Sequence, residues 1–81
     1  MNIIENIKKM ISELAKIPLE EINPDTQIYG SVVISSLNLL QLIKKCEDHF
    51  DLMIEPEDLI EDNFQDLKTL GGFIETRLAA S

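Results

Sequence analysis

Two adjacent serines, Ser35 and Ser36, occupy the position in this chain that most favours chemistry. They stand where an uncharged, mostly apolar stretch (residues 29–34) gives way to the helical pattern that continues through Leu37. A hydroxyl at the start of a helix lies beside unpaired backbone N–H groups and the positive end of the helix dipole, a setting that favours a phosphate. Serine is also a favoured N-cap, so the local sequence alone favours a capping role over a modification site.

The remaining reactive side chains do not form a catalytic set. His49, the only histidine, is predicted to be a helix-end cation or a surface residue. Cys46 lies one helical turn from Ile43 and Phe50, which predicts a small buried apolar side chain. One cysteine and one histidine are too few for a zinc site, and the chain has neither a glycine-rich phosphate loop nor an EF-hand pattern. We therefore expect no catalytic residue, no metal site and no enzymatic activity.

Length and composition predict one domain covering residues 1–81, with 44% hydrophobic residues to form a modest core. The single cysteine cannot form an internal disulfide, which favours a reducing, cytoplasmic location. No segment approaches the roughly 18 apolar residues of a membrane span, and the N-terminal residues lack the cationic region of a secretory signal. We expect a cytoplasmic monomer without stable membrane association.

The charge is strongly acidic, with 15 Asp and Glu against seven Lys and Arg and a net charge of −8. This balance argues against nucleic acid as a partner, because nucleic acid is bound through Lys and Arg. Nine of the acids lie between Glu47 and Asp66, where there is no Lys or Arg. This run is either a solvated surface or a surface that attracts basic partner proteins.

Apolar spacing predicts four helices. Their expected ranges are Ile3 to about Lys16, Ser36 to Phe50, Pro56 to Ile60 or Glu61, and Asp66 or Leu67 to about Leu78. Asn2 is the expected N-cap of the first helix, and Pro18 disfavours its continuation. The pattern therefore predicts an all-α fold, a small four-helix bundle of three main helices and one short helix, with a long loop between helices 1 and 2.

Two segments leave alternatives open. Residues 17–34 carry too many apolar side chains for a free loop, so we expect them to lie over the core, with a helical turn at residues 20–22. Residues 32–34 could instead form a short buried strand. Gly71 and Gly72 weaken the last helix, so either another helix approaches closely there, which we favour, or the helix breaks at Leu70.

This arrangement resembles the acyl carrier protein family over nearly the whole chain. The family signature is Asp-Ser-Leu at the start of the second helix, and Ser35-Ser36-Leu37 stands in its place here. The resemblance implies that Ser36 receives 4'-phosphopantetheine from coenzyme A and that the arm carries acyl groups as thioesters. Leu40, Ile43, Glu47 and Phe50 also fit the pattern.

Two departures from the family stand out. Ser35 replaces the usual acid, so it can cap the helix but contributes no charge. Lys44 and Lys45 stand on a helix face that is commonly acidic in the family, and Asn38 and Gln41 are neutral there. These differences point to a dedicated pathway.

The resemblance also implies a loosely filled centre for the acyl group and a surface for partner enzymes. The candidates for lining the centre are Leu37, Leu40, Ile43, Phe50, Ile54, Leu59 and Phe64, and ordinary core packing accounts for each of them equally well. The candidates for facing partners are Asn38, Gln41, Lys44, Lys45, Glu47, Asp48, Glu57 and Asp58.

The implied partners are a phosphopantetheinyl transferase and acyl-loading, elongating or transferring enzymes with basic docking surfaces, in fatty-acid, polyketide or related specialised biosynthesis. Two alternatives stay open. The chain could carry aminoacyl, peptidyl or D-alanyl groups, or it could be an unmodified acidic adaptor in which Ser36 only caps the helix.

Overall fold

A computed structural model describes residues 2–30 and 34–80 and confirms the predicted all-α class. The α-helices are α1 (Ile3–Ala15), α2 (Ser36–Phe50), α3 (Glu61–Phe64) and α4 (Leu67–Ala80), with 3-10 turns at Leu19–Glu21 and Pro56–Asp58. Within these described ranges, the only β pairing is an isolated bridge between Gln27 and Asp66. None of the helices there has the length and apolar content that crossing a bilayer requires.

Helix α1 begins and ends through local capping. The Asn2 side chain accepts a hydrogen bond from the Glu5 backbone N–H at 3.1 Å, as its N-cap position predicts. Lys16 ends the helix in the left-handed conformation, with φ of 57°. The helix packs against both α2 and α4 and buries Ile7, Met10 and Ile11. The amphipathic spacing of the sequence therefore gives the observed inward face.

Helix α2 has the predicted bounds, and the residue before it supplies its cap. The Ser35 hydroxyl oxygen accepts a hydrogen bond from the Asn38 N–H at 3.1 Å. At the other end Asp51 adopts a left-handed conformation, and its N–H bonds the Glu47 carbonyl. The helix buries Leu42, Cys46 and Phe50 along one face.

The predicted third helix is wrong in its position. Residues Pro56–Asp58 form only a 3-10 turn, and the α-helical turn lies later, at Glu61–Phe64. The Asp58 carboxylate accepts the Glu55 N–H at 3.0 Å, in a reciprocal capping arrangement with Glu55 that fixes the start of this turn. Leu59, with φ −83° and ψ 64°, leaves helical geometry.

Helix α4 continues without a break through both glycines. A Cβ atom added to Gly71 would stand 3.0 Å from Ile4 Cγ1, whereas one added to Gly72 would meet no atom within 4 Å. The close approach of α1 therefore explains Gly71, and Gly72 faces open space. The Asp66 carboxylate accepts the Thr69 N–H at 2.9 Å at the start of the helix.

The connection between α1 and α2 is held against the α3–α4 region by backbone hydrogen bonds. The Leu67 and Lys68 N–H groups donate to loop carbonyls, and the Ile28 and Tyr29 N–H groups donate to Gln65 and Phe64. Ile22, Ile28 and Ile34 are buried. The loop thus covers the core as expected, and the expected helical turn is the 3-10 turn at Leu19–Glu21. Residues 32 and 33 of the alternative strand lie outside the described residues.

Candidate functional site

Ser36 is the first residue of α2, and its side chain is exposed. The neighbouring Ser35 side chain fulfils the capping role, since its Oγ accepts the Asn38 N–H. Among residues 2–30 and 34–80, no partner forms a hydrogen bond with the Ser36 hydroxyl. Ser35 therefore caps the helix, and the capping interaction does not occupy the Ser36 oxygen, which is left available for modification. The local sequence alone did not distinguish these two roles.

The start of α2 fits a phosphodiester. Its first turn contains no acidic side chain, so nothing charged on the helix repels an anion there. The Ser35 carbonyl accepts the Leu39 N–H at 2.9 Å and Ser35 Oγ accepts that of Asn38. Within the described part of the chain, the Ser36 and Leu37 N–H groups have no acceptor, so they are available to a phosphate oxygen. A negative charge at this end is worth about 0.3–1 kcal/mol.

An apolar cleft of about 160 Å³ opens beside α2. Tyr29, Leu39, Leu40, Ile43, Leu59 and Phe64 line it. Leu39, Leu40 and Ile43 come from α2, Tyr29 comes from the connection before it, and Leu59 and Phe64 come from the stretch between α2 and α4. The lining is almost entirely carbon, so the cleft suits an apolar chain.

Four of the seven predicted lining residues, Leu40, Ile43, Leu59 and Phe64, meet at this cleft. The other three do not line it: Phe50 and Ile54 are buried in the core, and the Leu37 side chain is 65% exposed. Sequence reasoning missed Tyr29 and Leu39. The helical spacing of Leu39 with Ile43 was a usable signal, whereas Tyr29 reaches the cleft through a backbone contact with the distant Phe64.

The predicted partner-facing residues differ in their exposure to solvent and in their bonds within the domain. Gln41, Lys44, Lys45, Asp48 and Glu57 are exposed, and Asn38 is half-buried. Lys44 and Asp48 form an exposed ion pair at 3.4 Å, a kind that contributes little to stability.

Glu47 and Asp58 instead make bonds within the domain. The Glu47 carboxylate accepts the Ile54 N–H at 2.9 Å. Asp58 pairs with Arg77 at 2.9 Å. Their charges are therefore partly used inside the fold, and they are less available to a partner than the other acids.

Cys46 and His49 have the surroundings expected of structural side chains. Burial, with a smaller contribution from the Glu47 charge, raises the pKa of the Cys46 thiol to about 12. Its Sγ lies 3.8 Å from Met10 Sδ in the core. His49 is exposed and contacts the edge of Phe50 at 4.9 Å between ring centroids. A neutral, enclosed thiol is a poor nucleophile.

Comparisons with known proteins agree with this geometry. The family model described as "Phosphopantetheine attachment site" matches residues 5–75. An acyl carrier protein of Cyanophora paradoxa is 35% identical over 78 residues, covering 95% of this chain and 71% of the relative. Acyl carrier proteins of Buchnera aphidicola and Solidesulfovibrio magneticus are 33% and 31% identical, covering 70% and 72% of this chain and 72% and 74% of the relatives.

These matches span most of the chain, and the family-model match over residues 5–75 includes the start of α2 and the residues that line the cleft. The associated cofactor is 4'-phosphopantetheine, and the associated role is that of a carrier rather than a catalyst. This chain belongs to the acyl carrier protein family.

Proposed function

We propose that Ser36 carries 4'-phosphopantetheine and that this single-domain carrier delivers acyl thioesters to enzymes of fatty-acid, polyketide or related specialised biosynthesis. The observation that supports this most directly is the exposed Ser36 hydroxyl, which begins α2 while Ser35 caps it. The bound arm would supply a terminal thiol for thioester formation. The chain's own contribution is to present the hydroxyl, to stabilise the phosphodiester and to shelter the acyl group.

Attachment requires a transferase and coenzyme A. The Ser36 oxygen forms a bond to the phosphorus next to the pantetheine, and the bond from that phosphorus to the departing 3',5'-ADP breaks. The hydroxyl proton goes to a base of the transferase, because no base stands within hydrogen-bond reach of Ser36 among the described residues. The N–H groups of Ser36 and Leu37, which have no acceptor among the described residues, would be available to the new phosphodiester.

The cleft supports an apolar acyl group as the cargo. The cleft has a volume of about 160 Å³. A group the size of a water molecule takes up about 30 Å³, so the cleft holds about five methylene-sized groups. Burying that many methylenes contributes up to about 4 kcal/mol, at about 0.8 kcal/mol each. Among the described residues no charged side chain lines the cleft, so an aminoacyl ammonium would find no counter-ion there.

Partner docking is proposed for the exposed side of α2 and the acidic segment that follows it. Asp48 on the helix and Glu57 beyond it supply exposed negative charge, whereas Lys44 and Lys45 on the same helix oppose a basic surface locally. Basic surfaces on loading, elongating or transferring enzymes complement the net charge of −8 and would accelerate their encounter with the carrier.

Mass spectrometry tests the attachment. The purified chain is incubated with coenzyme A and a promiscuous phosphopantetheinyl transferase, and we expect the mass of one phosphopantetheine to be added. Ser36→Ala should abolish the addition. Ser35→Asn is the matched control, because asparagine keeps an N-cap and removes the neighbouring hydroxyl. Addition to Ser36→Ala would place the arm elsewhere, and no addition with several transferases would favour the unmodified adaptor.

The cargo is tested on the modified protein. Loading acyl chains of increasing length should raise the melting temperature until the cleft is full. Ile43→Phe, which fills the cleft, should reduce this gain, whereas Leu37→Ala, outside the cleft, should not. A gain with aminoacyl groups equal to that with acyl groups would favour an aminoacyl, peptidyl or D-alanyl carrier.

A further inference from the structure

Arg77, near the end of α4, joins that helix to the segment between α2 and α3. Its Nη2 lies 2.9 Å from Asp58 Oδ2, and its Nη1 donates to the Met53 carbonyl oxygen at 3.1 Å. The two charged side chains are 33% and 16% exposed, so the pair is shielded from solvent much more than the other ion pairs of the described residues. The guanidinium thus holds both ends of the segment Met53–Asp58.

The same guanidinium connects to the acyl cleft through aromatic rings. Its Cζ lies 4.9 Å from the centroid of the Phe73 ring, within cation–π range. The Phe73 ring is 5.8 Å from that of Phe64, and Phe64 lines the cleft. Arg77 is therefore one ring removed from a cleft wall.

Asp58 extends the connection to a second residue of the cleft. Its carboxylate accepts a hydrogen bond from the Glu55 N–H and forms the ion pair with Arg77. Its carbonyl oxygen accepts a hydrogen bond from the Asn63 side-chain amide at 2.8 Å. Leu59, which lines the cleft, follows it directly. The position of Leu59 consequently depends on where Asp58 is held.

We propose that Arg77 is a specificity-determining positioning residue, which sets the length of acyl chain the cleft accepts by holding Asp58, and hence Leu59, in place. This inference rests on the proposed function, because it concerns the cargo of the same cleft. Without Arg77 the Met53–Asp58 segment keeps its attachment to α2, where Glu47 accepts the Ile54 N–H, but loses its attachment to α4. The Leu59 side then moves outward and the cleft accommodates a longer chain.

Arg77→Met tests this directly, because methionine keeps an apolar stem over Phe73 and removes the charge and the donors. Lys68→Met is the matched control: Lys68 also lies on α4 and pairs with Asp25 at 2.9 Å, but that pair is exposed and does not touch the segment. Arg77→Lys keeps the charge without the two-pronged geometry, so it should restore the wild-type behaviour only in part.

The first measurement uses the unmodified chain. The Glu55 and Leu59 amides, which bond Asp58 and the Pro56 carbonyl, should exchange with deuterium about tenfold faster in Arg77→Met than in the wild type. Lys68→Met should leave both exchange rates unchanged. Equal rates in Arg77→Met and the wild type would overturn the proposal at its first step.

The second measurement uses the phosphopantetheine-loaded chain with butyryl, hexanoyl, octanoyl and decanoyl groups. The melting temperature should stop rising at a chain longer by about two carbons in Arg77→Met than in the wild type or Lys68→Met. A plain stabilising role would lower all the melting temperatures and leave the limiting length unchanged, and that result would refute the proposal.

The two failures are distinguishable. If the wild type accepts no arm, the proposed function fails and this inference fails with it. If the wild type is loaded normally but the limiting length does not move, only the inference about Arg77 fails. Should Arg77→Met not fold, Asp58→Asn serves in its place, since asparagine can still accept the Glu55 N–H while losing the ionic bond to Arg77.

Discussion

The adjacent glycines of α4 predict opposite responses to the same substitution. Gly72→Ala should stabilise the protein by about 1 kcal/mol, because alanine is the better helix former and its methyl group meets no atom within 4 Å. Gly71→Ala brings the same helical gain, but its methyl group would stand 3.0 Å from Ile4 Cγ1 and 3.3 Å from Ile4 Cδ1. Overpacking of this kind costs about 1–3 kcal/mol. Gly71→Ala should therefore be neutral or destabilising by up to about 2 kcal/mol.

Urea and thermal unfolding measure the difference. A change of 1 kcal/mol shifts the melting temperature by about 4–8 °C in a domain of this size, so the two variants should move in different directions or by clearly different amounts. Ile4→Ala removes both contacting atoms and completes a double-mutant cycle. In that background Gly71→Ala should become as stabilising as Gly72→Ala. Equal shifts for the two variants in the wild-type background, or no coupling to Ile4, would refute the close-approach explanation.

Three further predictions concern the caps and titrating groups. Ser35→Ala should lower the free energy of unfolding by about 1 kcal/mol and Ser36→Ala by less than about 0.5 kcal/mol in urea titrations, because only Ser35 caps α2; equal losses would contradict this division. Cys46 should resist iodoacetamide at pH 8 in the folded, unmodified chain and react after denaturation, because its pKa of about 12 keeps the thiol protonated; rapid labelling of the folded chain would show that the thiol is accessible. Hydrogen bonds from Thr69, chiefly from its side chain and secondly from its N–H, lower the pKa of Asp66. The contribution of Asp66 to folding stability is therefore present above the ordinary carboxyl pKa and is lost as the pH falls through the lowered value. Asp66→Asn should therefore flatten the loss of stability in acid, and an unchanged slope would show that the carboxylate contributes nothing.

The main helices could be predicted because their signals are local. Apolar spacing gave the inward face of α1 and the buried Cys46 and Phe50 of α2, and the caps Asn2 and Ser35 lie within four residues of the N–H groups they bond. The start of α4 at Leu67 and its continuation past Gly71 were also expected. Ser36 was singled out through the resemblance of Ser35-Ser36-Leu37 to the family's Asp-Ser-Leu signature, because the local sequence alone favoured a capping role for either serine.

The short turns and the cleft could not be predicted in full because distant residues determine them. The turn at Pro56–Asp58 ends early where Leu59 leaves helical geometry, and Asp58 in this turn pairs with Arg77 from the far end of the chain. Tyr29 joins the cleft because its N–H bonds the Phe64 carbonyl, 35 positions later in the sequence. Neither bond leaves a periodic pattern in a local window, and no feature of the sequence marked Arg77.

The hydrogen bond between the Tyr29 N–H and the Phe64 carbonyl, at 2.9 Å, has a mechanical consequence. It fixes the Tyr29 side of the cleft. The three lining side chains of α2 are also fixed, because they belong to one continuous helix. Tyr29 and Leu59 both lie outside the helices, but the Leu59 N–H bonds only the nearby Pro56 carbonyl, so Leu59 is the side that can move. The cleft can therefore expand only on the Leu59 side. A longer acyl chain would extend outward past Leu59 and would not separate the helices.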